Sequence, residues 1–97
     1  MRRRHLLCYD IRDPGRLRRV HRLAREWGHA LQYSVFVCDL TAAERIQLVD
    51  ALAAVADADA DSVTLFDLGQ LDGAAGVDPV AQIGSVREVF RGGPTVV

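Results

Sequence analysis

The residues most able to do chemistry stand close together near the start of the chain, in the stretch HLLCYDIRDPGRLRRV, residues 5–20. An apolar run ends there in an acid, Asp10, and Arg16, Arg18 and Arg19 follow almost at once. The planar guanidinium group of arginine binds phosphate through two hydrogen bonds, so this segment favours a phosphate-bearing partner. The alternative is an ordinary solvated helix face, with Asp10 capping the turn that follows it.

Composition indicates one small globular domain. The chain has 97 residues, 49% of them hydrophobic and 26% charged, so we expect residues 1–97 to form a single domain. No apolar run approaches the roughly 20 residues that cross a bilayer, and the N-terminus becomes polar too early for a signal peptide. We therefore expect a cytoplasmic protein with no membrane segment. The net charge of -1 hides an asymmetry, because most of the 12 basic residues lie within residues 2–25 and all are arginine.

The cysteines and histidines do not have the spacing of metal ligands. Cys8 and Cys38 lie far apart, each in an apolar run, so we expect buried free thiols. His5, His21 and His29 have no ligand spacing with any carboxylate. We therefore expect neither a cysteine–histidine metal cluster nor a histidine general base.

Hydrophobic spacing predicts that Asp10 lies at the end of the first strand. Residues 5–11 are rich in strand formers, and alternate residues of a strand point to opposite faces. One face then carries Leu6, Cys8 and Asp10. The other carries Leu7, Tyr9 and Ile11. Tyr9 is thus expected to be a packing residue with its hydroxyl at a loop, on the face opposite Asp10.

The arginines are predicted to lie on a helix over residues 14–27. Asp13 fits its N-cap, Pro14 its first position and Gly28 its end. Apolar residues recur at helical spacing at Leu17, Val20, Leu23 or Ala24, and Trp27. The opposite face carries Arg18, Arg22 and Arg25.

The remaining elements continue the alternation of strand and helix. Residues 30–40 form the second strand region, either one bent strand or two short strands broken near Ser34. Thr41 and Glu44 have capping-box spacing and begin a second helix. Its expected inward residues are Ile46, Leu48, Val49, Leu52 and Val55. Another strand is predicted over residues 62–68. Two short apolar stretches, 80–83 and 95–97, are candidates for an extra strand at a sheet edge.

This order of elements predicts an α+β fold of the ferredoxin-like βαββαβ plan. Such a fold has an antiparallel sheet with both helices on one face, here with an extra C-terminal edge strand. No third helix is available to cover the other face, so we expect a homodimer through that face. The terminal PTVV is expected to add a strand to the partner's sheet edge near residues 62–68.

Several stretches resemble a known family. LLCYDIRD, RLRRV, a glycine followed by LQYSVFVCDL, and DSVTLFDL are similar to the small CRISPR-associated adaptation protein, the second of the two core spacer-acquisition proteins. The likeness runs in register over residues 6–68, and beyond it only PTVV is similar. It implies a ferredoxin-like homodimer that is a metal-dependent endonuclease on RNA or double-stranded DNA and a partner of the CRISPR integrase subunit.

The resemblance also implies roles for the candidate residues. Asp10 would be the catalytic residue and the ligand of Mg²⁺, or of Mn²⁺, because dimerisation would bring it opposite its own copy. Two facing carboxylates are costly unless a cation lies between them. Arg16, Arg18 and Arg19 would contact backbone phosphates near the metal.

Three functions stay open on the sequence. The first is the metal-dependent endonuclease, the second a non-catalytic nucleic-acid-binding bridge of the integrase complex, and the third a toxin-type ribonuclease of the same fold. One carboxylate per chain is few for a nuclease, which favours weak or absent cleavage. Ala30 and Leu31 stand where many relatives have a basic residue, so one phosphate contact is missing. The resemblance further places Ser34 and Phe36 near the dimer seam.

Overall fold

The computed structural model describes residues 1–71 together with Ala81, Ile83 and Gly84. The elements are, in order, β1 (Arg3–Asp10), α1 (Pro14–Trp27), β2 (His29–Gln32), β3 (Val35–Leu40), α2 (Ala42–Val55) and β4 (Ser62–Gln70). The four strands form one antiparallel sheet in the order β2-β3-β1-β4. The predicted ferredoxin-like α+β fold is confirmed, and the second strand region is two strands broken at Tyr33 and Ser34.

Helix α1 begins and ends where the sequence predicts. The Asp13 carboxylate accepts a hydrogen bond from the Arg16 backbone N–H at 2.9 Å, and Pro14 occupies the first turn, where it loses no helical hydrogen bond. Gly28 ends the helix because the chain passes very close to β3 there. A Cβ on Gly28 would overlap the carbonyl oxygen of Val37 and the Sγ of Cys38.

Helix α2 begins with the predicted capping box. The Glu44 N–H donates to the Thr41 hydroxyl at 3.1 Å, and the Glu44 carboxylate accepts from the Thr41 N–H at 2.8 Å. The expected inward face of α2 is partly wrong. Leu48 and Leu52 are buried and Val55 is half-buried, but Ile46 and Val49 are 62% and 46% exposed. Apolar residues occur all round this helix, so their periodicity does not define one buried side.

The core lies between the two helices and one face of the sheet. The first strand contributes Leu7 and Tyr9, and Ile11 follows just after it, so the predicted assignment of faces in β1 is confirmed. Phe36 pairs with Leu7 in register, is 1% exposed, and packs in the same core. The side chain of Phe36 is therefore on the helix side of the sheet and not on the uncovered face, and its expected place near the dimer seam stays a prediction.

The opposite face of the sheet has no helix on it among the described residues. Leu6 on β1 pairs with Val37 of β3 and Phe66 of β4, and Phe66 is 50% exposed. Asp10 ends the row of β1 residues on this face. This surface, which we call the open face because no helix among the described residues covers it, is apolar at its centre, where Val37 is only 1% exposed, and acidic at the end of β1.

The cysteines are free thiols, as predicted. Cys38 is buried, and burial raises its pKa to about 12, whereas Cys8 on the open face is half-buried. The candidate strand at residues 95–97 lies outside the described residues. In the other candidate stretch, Ala81 and Ile83 are described and belong to no strand. None of the helices described is long and apolar enough to cross a membrane.

Candidate nucleic-acid and metal site

Asp10 is an exposed carboxylate at the end of β1. Its Cα pairs with Ser62, the first residue of β4, so Asp10 lies where two neighbouring strands meet one end of the sheet. Among the described residues, none donates a hydrogen bond to its carboxylate or forms an ion pair with it. Within the described part of the chain, both oxygens of Asp10 are therefore without a protein donor.

The donors around Asp10 fit a hard cation only in part. Mg²⁺ prefers carboxylate oxygens and water, and it is commonly held by one or two carboxylates together with substrate phosphate. Asp10 supplies one such carboxylate. In the part of the chain that the structure describes, no three His, Cys, Asp or Glu side chains are grouped closely enough to hold a metal ion. The remaining ligands must come from water, from a phosphate, or from a second copy of the chain.

Arg16 has a partner that the sequence did not reveal. Its Nε donates to Asp61 Oδ2 at 2.8 Å and its Nη2 to Asp61 Oδ1 at 3.1 Å. The Asp61 side chain is closed off from solvent. Its carboxylate also accepts hydrogen bonds from the backbone N–H groups of Arg12 and Asp57, both at 2.9 Å. Arg16 thereby joins the start of α1 to the segment before β4, and this pairing competes with its predicted phosphate contact.

The hydrogen bonds at Asp61 keep it ionised. The bonds from Arg16, followed by those from the Arg12 and Asp57 N–H groups, hold the pKa of Asp61 well below its usual range. The same pairing raises the pKa of Arg16. Asp13 has a lowered pKa because its carboxylate accepts from the Arg16 N–H, which confirms that Asp13 is a helix cap.

Arg18 and Arg19 are exposed on α1. None of the described residues forms a salt bridge or hydrogen bond with either guanidinium group. They stand eight and nine residues after Asp10 in the sequence, on the helix that follows its strand. Their predicted role as phosphate contacts stays a prediction.

Tyr9 connects β1 to α1 and to the β2–β3 turn. Its hydroxyl donates to the carbonyl oxygen of Tyr33 at 2.8 Å and lies 2.8 Å from Nδ1 of His21. Since the hydroxyl has one hydrogen and a carbonyl only accepts, His21 must be the donor at Nδ1. Burial, with a smaller contribution from Tyr33, raises the Tyr9 pKa to about 12, so the hydroxyl stays a donor. This confirms the predicted buried ring with its hydroxyl at a loop.

Sequence reasoning missed three residues near the site: Asp61, His21 and Tyr33. Asp61 is the last acid of the tract ADADADS and directly precedes β4, the strand that pairs with Asp10. His21 was judged by its spacing to carboxylates, whereas its partner is a tyrosine hydroxyl. The signal for Asp61 was its position directly before the strand predicted over residues 62–68.

The sheet order, the two helices on one face and the strand-terminal acid define a ferredoxin-like α+β domain with a basic first helix. The model of the family "CRISPR associated protein Cas2" matches residues 2–72. The chain therefore belongs to the Cas2 family of CRISPR-associated proteins, as the sequence motifs indicated.

Named relatives agree with this assignment. The chain is 40% identical over 68 residues to the CRISPR-associated endoribonuclease Cas2 2 of Thermodesulfovibrio yellowstonii, covering 70% of this chain and 75% of that one. It is 37% identical over 65 residues to the CRISPR-associated endoribonuclease Cas2 1 of Rhodospirillum rubrum, covering 67% and 64% of the two chains.

Solved structures share the fold. The crystal structure of Streptococcus pyogenes Cas2 superposes with a TM-score of 0.64 at 34% identity, over 68% of this chain and 86% of that one. A second crystal structure, described as cas2, superposes with a TM-score of 0.75 over 100% of both chains. At 21% identity this second likeness supports the fold alone.

Proposed function

We propose that this protein acts in CRISPR adaptation as a metal-dependent endonuclease on RNA or double-stranded DNA. The observation that carries the proposal is the exposed carboxylate of Asp10, which has no partner among the described residues and precedes a helix with exposed arginines. The relatives from Thermodesulfovibrio yellowstonii and Rhodospirillum rubrum are named endoribonucleases, which supports a nuclease. Asp10 would hold Mg²⁺ or Mn²⁺, while Arg18 and Arg19 would orient the phosphate.

The site requires a second copy of the chain. The open face presents Leu6 and the half-exposed Phe66, and an apolar sheet face of this kind favours an isologous homodimer. A dimer through the open face would supply a second Asp10, and a shared cation offsets the repulsion between two carboxylates. A bound divalent cation supplies an activated water and neutralises charge on the phosphate. Arg16, held by Asp61, would keep the start of α1 in place beside the site.

A non-catalytic role is the second candidate. One carboxylate per chain, with no group of three metal-ligating side chains in the described part, is few for a nuclease that must also orient water. The same dimer would then serve as a nucleic-acid-binding bridge for the CRISPR integrase subunit. In this role the arginines of α1 would bind phosphate, and Asp10 would be dispensable.

The substitution Asp10→Asn tests the proposal. It removes the charge of the metal ligand and leaves the shape of the side chain, so Mg²⁺- or Mn²⁺-dependent cleavage of RNA and duplex DNA should fall at least a hundredfold. Asp13→Asn is the matched control, because asparagine is an equally good N-cap and the same charge is removed three residues away. The control is expected to keep parental activity.

The outcome separates the two candidates. Full metal-dependent cleavage by Asp10→Asn would exclude Asp10 as the ligand. A parent protein that shows no cleavage, but that supports spacer insertion together with its integrase, would favour the bridge. Circular dichroism of each variant checks that the fold is retained.

A further inference from the structure

Arg12 lies in the short connection between β1 and α1, outside the set of residues that the proposed site includes. The connection runs from Ile11 to Asp13 and directly follows Asp10. Ile11 is buried in the core, whereas Asp10 and Arg12 on either side of it are exposed. The Cα atoms of Asp10 and Arg12 are no more than about 7.6 Å apart, which is twice the ~3.8 Å between consecutive Cα atoms. Arg12 is therefore a cationic neighbour of the exposed carboxylate in space as well as in sequence.

The backbone of Arg12 is held at this end of the sheet by Asp61. Its N–H donates a hydrogen bond to Asp61 Oδ1 at 2.9 Å. Asp61 directly precedes Ser62, whose Cα pairs with that of Asp10 across β4 and β1. The Asp61 side chain is closed off from solvent and is also bound by the Arg16 guanidinium. The Arg12 side chain thus starts from a fixed point beside the strand pair that carries Asp10.

The guanidinium group of Arg12 differs from that of Arg16. Both N–H donors of Arg16 that reach Asp61 are engaged, at 2.8 and 3.1 Å. Arg12 is exposed, and none of the described residues forms a hydrogen bond or a salt bridge with its side chain. Asp10 and Arg12 form no ion pair with each other. Within the described part of the chain, Asp61 therefore neutralises Arg16, while the charge of Arg12 has no protein partner.

A carboxylate and a guanidinium that are close together but unpaired suit a phosphodiester bound with a divalent cation. Asp10 carries the negative charge and the oxygen atoms that a hard cation needs. Arg12 carries the positive charge and the paired N–H donors that phosphate oxygens need. A guanidinium repels a bound cation unless an anion lies between them. Arg12 therefore suits the substrate phosphate and not the metal ion alone.

We propose that Arg12 is a further active-site residue and that its guanidinium binds the phosphodiester that is cut beside Asp10. The inference rests on the proposed function and adds a phosphate ligand outside the arginines of α1. Arg12 would bind the phosphate in the ground state and more strongly as negative charge develops on its oxygens. The bond from the Arg12 N–H to Asp61 restricts the backbone before nucleic acid binds, which lowers the entropy cost of the contact.

The first test compares cleavage by full-length variants in Mg²⁺ or Mn²⁺. Arg12→Ala removes the guanidinium but keeps the backbone N–H that binds Asp61, so the Tm should stay within about 2 °C of the parent. Its kcat on RNA or duplex DNA should fall about a hundredfold, while KM should rise by no more than about fivefold. Arg12→Lys keeps the charge without the paired donors and should recover part of the lost kcat. Arg45→Ala removes a partly exposed positive charge from α2 and should keep the parental kcat.

The second test measures binding with EDTA present, so that cleavage does not contribute. The probe is a labelled duplex titrated at several salt concentrations. Arg12→Ala should lower the slope of log K against log salt by about 0.9 for each bound chain, because one phosphate contact is lost. Arg12→Lys retains the charge and should keep the parental slope, as should Arg45→Ala.

Three results would overturn the inference. A parental slope in Arg12→Ala, or equal slope changes in Arg12→Ala and Arg45→Ala, would exclude a specific phosphate contact. A parental kcat in Arg12→Ala would place any such contact away from the bond that is cut. Failure of the proposed function is seen separately, because Asp10→Asn would then retain metal-dependent cleavage or the parent would show none. In a parent without cleavage, the slope measured with EDTA still decides whether Arg12 binds phosphate.

Discussion

Two aspartates at one end of the sheet have opposite environments. Asp61 directly precedes Ser62, and Ser62 is the strand partner of Asp10, so the two acids are near neighbours across β1 and β4. Asp61 is closed off from solvent and accepts hydrogen bonds from Arg16 and from two backbone N–H groups. Asp10 is exposed and accepts none from the described residues. The difference separates an acid that holds the fold together from an acid that can bind a ligand.

The arginines show the same contrast. At the other end of β1, Arg4 forms a bidentate salt bridge with Asp39, with Nε–Oδ1 and Nη2–Oδ2 distances of 2.8 and 2.9 Å. Arg3 forms a salt bridge with Asp67, with an Nε–Oδ2 distance of 2.9 Å. These charges are neutralised within the described part of the chain. In the described part of the chain, the guanidinium groups without a hydrogen bond or salt bridge are those of Arg12, just before α1, and of the α1 residues Arg18, Arg19, Arg22 and Arg25. The basic character of residues 2–25 is therefore structural in β1 and available to a partner on α1.

The largest difference between the two aspartates should appear in stability. Asp61→Ala leaves the Arg16 guanidinium and two backbone N–H groups without their acceptor, so we expect the Tm to fall by about 10 °C. Asp10→Ala removes no contact with the described residues and should shift the Tm by no more than about 2 °C. Thermal unfolding followed by circular dichroism measures both. Equal losses of Tm would show that Asp10 is also a structural acid.

The pH dependence of stability should distinguish the same two residues. The pKa of Asp61 is lower in the folded chain than the ~3.9 of an unfolded aspartate, so the folded state is stabilised above about pH 4 and loses this stabilisation as the pH falls. Asparagine does not ionise, so the variant Asp61→Asn lacks this pH-dependent stabilisation. Its Tm should therefore decrease less than that of the parent between pH 5 and pH 2, as measured by calorimetry.

Some acid sensitivity should remain in Asp61→Asn. The pKa values of Asp13, Glu44 and Asp67 are also lowered, chiefly by hydrogen bonds from Arg16, Thr41 and Arg3 respectively. A variant Asp61→Asn with unchanged acid dependence would mean that its hydrogen bonds do not persist in solution.

Much of the fold was predictable because its signals are local. Asp13 with Pro14, and Thr41 with Glu44, fix the starts of both helices through contacts within one turn. Strand alternation placed Asp10 on the face opposite Leu7. The buried side of α2 was not predictable in this way, since its apolar residues surround the helix and only packing against the sheet selects Leu48 over Ile46.

The site was predictable only in part, because its partners are distant in sequence. Arg16 and Asp61 are 45 residues apart, and nothing in the spacing of either segment indicates that they meet. The Tyr9 hydroxyl likewise meets the Tyr33 carbonyl 24 residues later. Residue type made the arginines candidate phosphate ligands, but only the pairing in three dimensions shows that Arg16 is already engaged with Asp61.

The smallest expected effect separates Arg16 from Arg19 on the same helix. If Arg19 contacts a phosphate of duplex DNA, Arg19→Ala should lower the slope of log K against log salt by about 0.9 for each bound chain, and by about twice that in a homodimer. Arg16→Ala should chiefly lower the Tm, because Arg16 is engaged with Asp61. Arg45→Ala is the control from α2 and should keep the parental slope. Titration of a labelled duplex at several salt concentrations measures all three.

Equal affinity losses with parental slopes in Arg19→Ala and Arg45→Ala would show that this side of α1 is only a solvated surface. A reduced slope in Arg16→Ala would show that its pairing with Asp61 opens to admit phosphate.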